Sequence, residues 1–323
     1  DEPLTEAASR LVGREPTVDA DLVKATRRDL QRMEKNLREG TLYNVGEAIS
    51  RLAAGSRRRR QESPQQIIEQ LQEDLTEFQR RHRLQQVVVV NVASTEPPLD
   101  ERSLPKTWAE LEPLLRQPRK CPPLAASSLY AIAALELGFP YVNFTPSAGS
   151  GPRAIADLAR ERQTCHMGRD GKTGETLLKS VLAPMFLKRN LEVMSWVGHN
   201  IFGNMDGQIL KEPENKRSKV VGKDRILGEI LGYHPQSLVS IEFIESLGDW
   251  KTAWDHIHFR GFLDTPMTMQ FTWQGCDSLL AAPLVLDLAR FTLLAARRGE
   301  VGPLTFLSSF FKSPVGKAPQ AFA

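Results

Sequence analysis

Residues 168–176 read GRDGKTGET, where a lysine and a hydroxyl stand between glycines directly ahead of Glu175-Thr176-Leu177-Leu178, which reads as a helix start. The unpaired N–H groups at a helix N-terminus attract anions, so the stretch suits a phosphate or a carboxylate. The phosphate loop of nucleotide hydrolases would need a glycine where His166 stands, which excludes that particular chemistry. Lysines recur in similar glycine-punctuated or apolar settings: RSKVVGK at 217–223, LGDWKTAWDH at 247–256 and FFKSP at 310–314. Lys219 and Lys223 are four positions apart, which puts them on one face if the segment is helical. Closely placed cations also lower one another's pKa, which helps one of them carry a proton. Asp170 and Asp277 precede Gly or Ser near helix starts, so each reads equally well as a cap. GHNIFGNMDG at 198–207 carries Asn200, Asn204 and Asp206, and its glycine-rich end is either a tight turn or a set of hydrogen-bonding groups.

These residues need elements to hold them. VVVVNVAST at 87–95 is a continuous β-branched run, as expected of a central parallel strand covered on both faces, with Ala93 and Ser94 at its polar end. A helix over 127–137 stopped by Gly138, a short strand within PYVNFTPS at 140–147 ending near Asn143, and a helix over about 152–162 repeat the pattern. Alternating helix and strand implies a doubly wound α/β sheet, which binds ligands at the carboxyl ends of its strands. Upstream, Val23, Thr26, Leu30, Met33 and Leu37 recur at helical spacing, and Ser63-Pro64-Gln65-Gln66 offers a capping box with proline at the first helical position. Past residue 176 the texture changes: 193–197, 240–244 and 267–273 read as strands with few intervening helices, an α+β region. Strong helical periodicity returns over 278–298.

Composition sets outer bounds. With 323 residues the chain is long enough for two domains, and a net charge of +3 does not by itself make a polyanion-binding surface. Arg57 to Arg60 form a short charge run without interleaved aromatics, read as a solvated connection rather than a nucleic-acid site. Cys121, Cys165 and Cys276 are widely spaced with no Cys-x-x-Cys pair, which argues against a disulfide framework or structural zinc and fits a reducing cytoplasm. The longest apolar runs, such as LLAAPLVL at 279–286, stop short of the roughly 20 residues that cross a bilayer, so no membrane partner is expected.

Six clusters in order, RDGKTGET, GHNIFGNMDG, RSKVVGK, LGDWKTAWDH, CDSLLAAPL at 276–284 and FFKSP, resemble the myo-inositol-1-phosphate synthase family from about Thr41 to Pro314. The resemblance implies a Rossmann-like doubly wound nucleotide-binding domain (1–175), an α+β catalytic and oligomerisation domain (176–277) and a helical return to the first (278–323). It implies an NAD-dependent isomerase that converts glucose 6-phosphate to inositol 1-phosphate without net redox, working as a homodimer or homotetramer. Lys219, Lys223, Lys251, Lys312 and Asp170 are then catalytic. Thr173, Gly174 and Glu175 take the substrate phosphate through hydroxyl and backbone N–H groups, and Asn200, Asn204 and Asp206 surround the substrate. Ala93, Ser94, Asn143, Asp170, Asp277 and Ser278 take the cofactor, and the resemblance leaves open whether a divalent or monovalent cation takes part. His256 and His258 are read as structural. The family's N-terminal glycine-rich loop has no counterpart here, since Gly149-Ser150-Gly151 is followed by Pro152. An additional N-terminal segment is therefore expected, and the alternative is a non-catalytic binding or assembly subunit that keeps the fold without NAD.

Overall fold

A computed structural model describes residues 3–14, 18–53, 63–204, 207 and 227–316. Arg57 to Arg60, Asp206, Lys219 and Lys223 lie outside the described residues. Helices α1 (Leu4–Arg14) and α2 (Ala20–Glu34) pack on each other, and Glu34 accepts from the Thr5 backbone N–H at 2.8 Å. The apolar stripe expected of α2 is largely unburied, with Met33 57% and Leu37 55% exposed. A short α3 (Glu47–Leu52) precedes α4 (Pro64–His82), whose start carries the expected capping box: Gln66 N–H donates to Ser63 Oγ and Ser63 N–H donates to Gln66 Oε1. Ile67, Ile68 and Leu71 of α4 enter a core shared with α5 (Trp108–Leu115), α6 (Ala126–Glu136) and α7 (Arg153–Glu161).

That core covers one face of a parallel sheet of β1 (Val89–Asn91), β2 (Tyr141–Asn143), β3 (Cys165–Gly168) and β8 (Gly302–Pro303), in that spatial order. The run expected to form a central strand from 87 to 95 is shorter, and among the described residues only β2 pairs with it. Both its faces are nonetheless covered, since Val87 and Val89 pack in the helical core while Val88 and Val90 pack against the opposite cluster of Val142, Met167, Leu288 and Phe311. Leu288 belongs to α9 (Asp277–Arg297), so helices flank both sides of this sheet, the doubly wound arrangement. The 21-residue α9 is long and apolar enough to cross a membrane by length and composition, which counting unbroken apolar runs missed. It packs on β1, β2, β3 and β7.

The second sheet has the order β5-β4-β6-β7, built from β4 (Glu192–Phe202), β5 (Gln236–Phe243), β6 (Trp250–Arg260) and β7 (Pro266–Cys276). Here β4 and β5 are parallel and the other neighbours antiparallel, the mixed α+β texture expected from sequence. One face receives α8 (Gly174–Lys188), with Phe186 wedged against Trp196 and Phe259. On β4 the side chains of Trp196, Asn200 and Phe202 share that face with the Gly198 position, as do Lys251, Ala253, Asp255 and Ile257 on β6. The other face shows Trp254 stacked on His199 at 5.7 Å.

Candidate functional site

The parallel register aligns Asn91, Asn143 and Gly168 at the carboxyl ends of β1, β2 and β3. Asn143 is buried, and its Nδ2 donates to the Ser147 carbonyl at 2.7 Å. Its Oδ1 accepts from Thr145 N–H at 3.1 Å, Thr145 Oγ at 2.9 Å and Asn91 Nδ2 at 3.0 Å. Both ends of the amide are thereby spent on tying two loops together, so the side chain stands behind the site. Glu96 anchors the loop after β1: its carboxylate accepts from Ser127 N–H at 2.8 Å and Ser127 Oγ at 2.5 Å, at the first turn of α6. Burial pushes the Glu96 pKa up, while these hydrogen bonds oppose the shift.

The loop from β3 to α8 makes the closest approach. Gly171 admits no side chain, because a Cβ would sit 2.2 Å from the Phe144 ring. This lets the strand end press onto the neighbouring loop, with Asp170 and Gly171 N–H donating to the Thr145 and Phe144 carbonyls, each at 2.9 Å. On its other side the loop pairs with 310–313: Lys172 N–H donates to the Phe310 carbonyl at 2.8 Å and Lys312 N–H to the Asp170 carbonyl at 2.7 Å. The pairing delivers Lys312 Nζ to Asp170 Oδ1 at 2.7 Å, with both residues buried. Lys172 is buried beside them. Its pKa is lowered to about 8, chiefly by burial and then by the charge of Lys312.

The second sheet supplies an equivalent pair. Lys251, near the start of β6, reaches Asp277 Oδ2 at 3.1 Å and lies 5.8 Å from the centre of the Phe202 ring. Asp277 is the first residue of α9, and its other oxygen has no hydrogen-bond partner among the described residues. Gly174, with φ +48°, opens α8 where a Cβ would stand 3.1 Å from Trp273 Nε1 and 3.5 Å from Asp277 Oδ1. Glycine at this position therefore lets the α8 terminus, Trp273 and Asp277 converge.

These elements enclose a cavity of about 260 Å³. Ala93, Ser94, Asp170, Thr173, Asn204, Lys251, Asp277, Ser278 and Lys312 line it, so residues scattered over the whole chain meet at one place. Two aspartate–lysine pairs beside a helix N-terminus can bind an anion, stabilise an oxyanion and relay a proton. Asn204 also accepts from the Gly207 N–H at 3.0 Å, as a turn residue would. Asn200 is buried on the inner face of β4 beside the cavity wall and does not line it. Glu175 is also absent from the lining, its carboxylate being fully buried and ion-paired to Lys179 at 2.7 Å, which leaves only its backbone for a ligand. Sequence reasoning missed Phe144, Thr145, Thr176 and Phe202 in the lining. Lys172 was within the quoted loop and Asp255 within the cluster LGDWKTAWDH, but neither was singled out. Among the described residues no group of three or more His, Cys, Asp or Glu side chains is placed to hold a metal ion.

An NAD-binding family model described as myo-inositol-1-phosphate synthase matches residues 3–322. Inositol-3-phosphate synthase 1 of Bacteroides thetaiotaomicron is 34% identical over 262 residues, covering 77% of this chain and 60% of that protein. Inositol-3-phosphate synthase of Spirodela polyrhiza is 30% identical over 296 residues, covering 88% of this chain and 57% of that protein. The crystal structure of inositol-3-phosphate synthase from Caenorhabditis elegans superposes with a TM-score of 0.85 at 25% identity, covering 98% of this chain and 65% of that one. This chain thus spans about three-fifths of the length of the curated relatives it matches. With the family model matching nearly end to end, the chain belongs to the myo-inositol-1-phosphate synthase family.

Proposed function

We propose that the chain forms an inositol phosphate from glucose 6-phosphate by internal oxidation, enolisation, aldol closure and reduction. The observation that carries this reading is the convergence of Asp170–Lys312 and Lys251–Asp277 on one cavity at the N-terminus of α8. Every stage of such a cyclisation develops negative charge on oxygen, and preorganised cations stabilise it where it appears. Lys312 and Lys251 are those cations, each held in place by its aspartate. Thr173 Oγ and the N–H groups of Gly174 and Glu175 at the helix start receive the phosphate, whose charge the helix dipole favours. Lys219 and Lys223 join them on the resemblance alone.

The cavity suits the nicotinamide end of NAD, since it opens at the carboxyl ends of parallel strands and holds Asp277. Ala93, Ser94, Asp170, Asp277 and Ser278 would hold it there, and when bound it supplies a reversible hydride acceptor. The chain's own task is to orient the sugar, receive the proton of the oxidised hydroxyl, and exclude water from the enolate. Incubation with glucose 6-phosphate and NAD tests the reading by phosphorus NMR: an inositol phosphate resonance supports it. A folded, NAD-loaded sample that yields none would remove it.

A further inference from the structure

Behind the turn of α8 proposed to face the phosphate lies a set of charges outside the lining of that cavity. Lys179, Glu175 and Asp255 are each 0% exposed. Lys179 Nζ lies 2.7 Å from Glu175 Oε1, one helical turn earlier, and 3.9 Å from Asp255 Oδ1 on β6. Trp196 on β4 donates its indole N–H to the same Asp255 oxygen at 2.6 Å, and the ammonium stands 5.8 Å from the Trp196 ring centre. Room for this set exists because Gly198 has no side chain: a Cβ there would come within 2.8 Å of Glu175 Oε1 and 3.2 Å of Asp255 Oδ1.

Position gives the cluster its meaning. Glu175 directly follows Thr173 and Gly174, while Asp255 shares strand β6 and its inward face with Lys251. One charged cluster therefore grips both the helix turn proposed to hold the phosphate and the strand that carries a proposed catalytic lysine. Burying three charges is costly, and apolar side chains of similar volume would hold a helix on a sheet as well or better. What a directional cluster adds is register, since ion pairs and hydrogen bonds permit one seating of α8 along β4 and β6 where apolar packing tolerates several.

We infer that Glu175, Lys179, Asp255 and Trp196 are positioning residues that set the register of the α8 N-terminus against Lys251, and thereby the affinity of the site for the phosphate group. The inference rests on the sugar-phosphate reading of the cavity. Gly198→Ala tests it while keeping every charge, because the new methyl must push Glu175 and Asp255 apart. Trp196→Phe is the milder companion, removing only the indole donor. The readouts are KM for glucose 6-phosphate, Ki for inorganic phosphate, Kd for NAD and the melting temperature. Gly198→Ala should raise KM and Ki together by about tenfold, as sub-ångström misplacement of a binding group does, with NAD affinity unchanged and Trp196→Phe shifted in the same sense. A fall in melting temperature with KM and Ki unchanged in both variants would make the cluster merely structural and overturn the inference. A wild-type protein that binds inorganic phosphate but makes no inositol phosphate would instead remove the functional reading, leaving the phosphate measurement to judge the cluster.

Discussion

Lys312 owes its place to a partner 142 positions away, and its charge matters in two ways. It balances Asp170 in a nearly dry setting, and it faces the cavity where oxyanions would form. Lys312→Ala should lower kcat by about 10² to 10³, the usual cost of losing an oxyanion-stabilising group, while circular dichroism shows the fold retained. Activity within twofold of wild type would make Lys312 only a structural partner of Asp170. His166 offers a separate test, on β3 but outside the lining of the cavity. It is fully buried with Nδ1 2.8 Å from Ser150 Oγ, and burial, aided by the charge of Arg160, pulls its pKa from 6.5 down to about 4. The folded state thus holds the neutral ring, whereas the unfolded chain takes up a proton near pH 6.5. Stability from this group is present above that pH and is lost as pH falls toward 4, by up to about 3 kcal/mol. Urea unfolding at pH 7.5 and 4.5 should show wild type losing roughly 2 to 3 kcal/mol more than His166→Gln. Equal losses would mean that the histidine is not held neutral.

At the scale of elements, what could be read in the sequence was what local rules govern. The capping box of α4, the Gly138 stop after α6 and the start of α8 all follow from neighbours within a few residues, and each is where the pattern placed it. β6 was hidden because its inward face carries Lys251 and Asp255 among Ala253 and Ile257, so the alternation of a half-buried strand is broken by two charged residues. β3 was hidden for a similar reason, being four residues long with a buried histidine in it. Covering on both faces, which the valines of β1 report, does not say how many strands lie beside it, and among the described residues only β2 does. The loop after β3 gives the prediction at this scale. Gly171→Ala forces its methyl into the Phe144 ring and should cost about 1 to 3 kcal/mol in stability, with a loss of turnover as Asp170 and Lys312 move apart. Stability within about 0.5 kcal/mol of wild type would mean that the ring gives way freely.

For the whole molecule, two sheets of different construction meet around one cavity, the parallel one contributing loop ends and the mixed one contributing Lys251 and the seat of α8. The clusters that line it were visible in sequence as polar islands, but which lysine meets which aspartate was not. Those pairings are made by the backbone contact between Gly171 and Phe311 and by the junction of β7 with α9. On the proposed function, the two lysine–aspartate pairs would hold the oxidised sugar while it closes on itself, and NAD would be regenerated rather than consumed. The most direct measurement is therefore stoichiometric. The protein is supplied with glucose 6-phosphate and NAD at a small fraction of the substrate, while inositol phosphate is followed by NMR and reduced nicotinamide by its absorbance. The account predicts many equivalents of inositol phosphate per NAD with no accumulation of the reduced form. Product limited to one equivalent per NAD, or reduced nicotinamide rising in step with substrate loss, would contradict it.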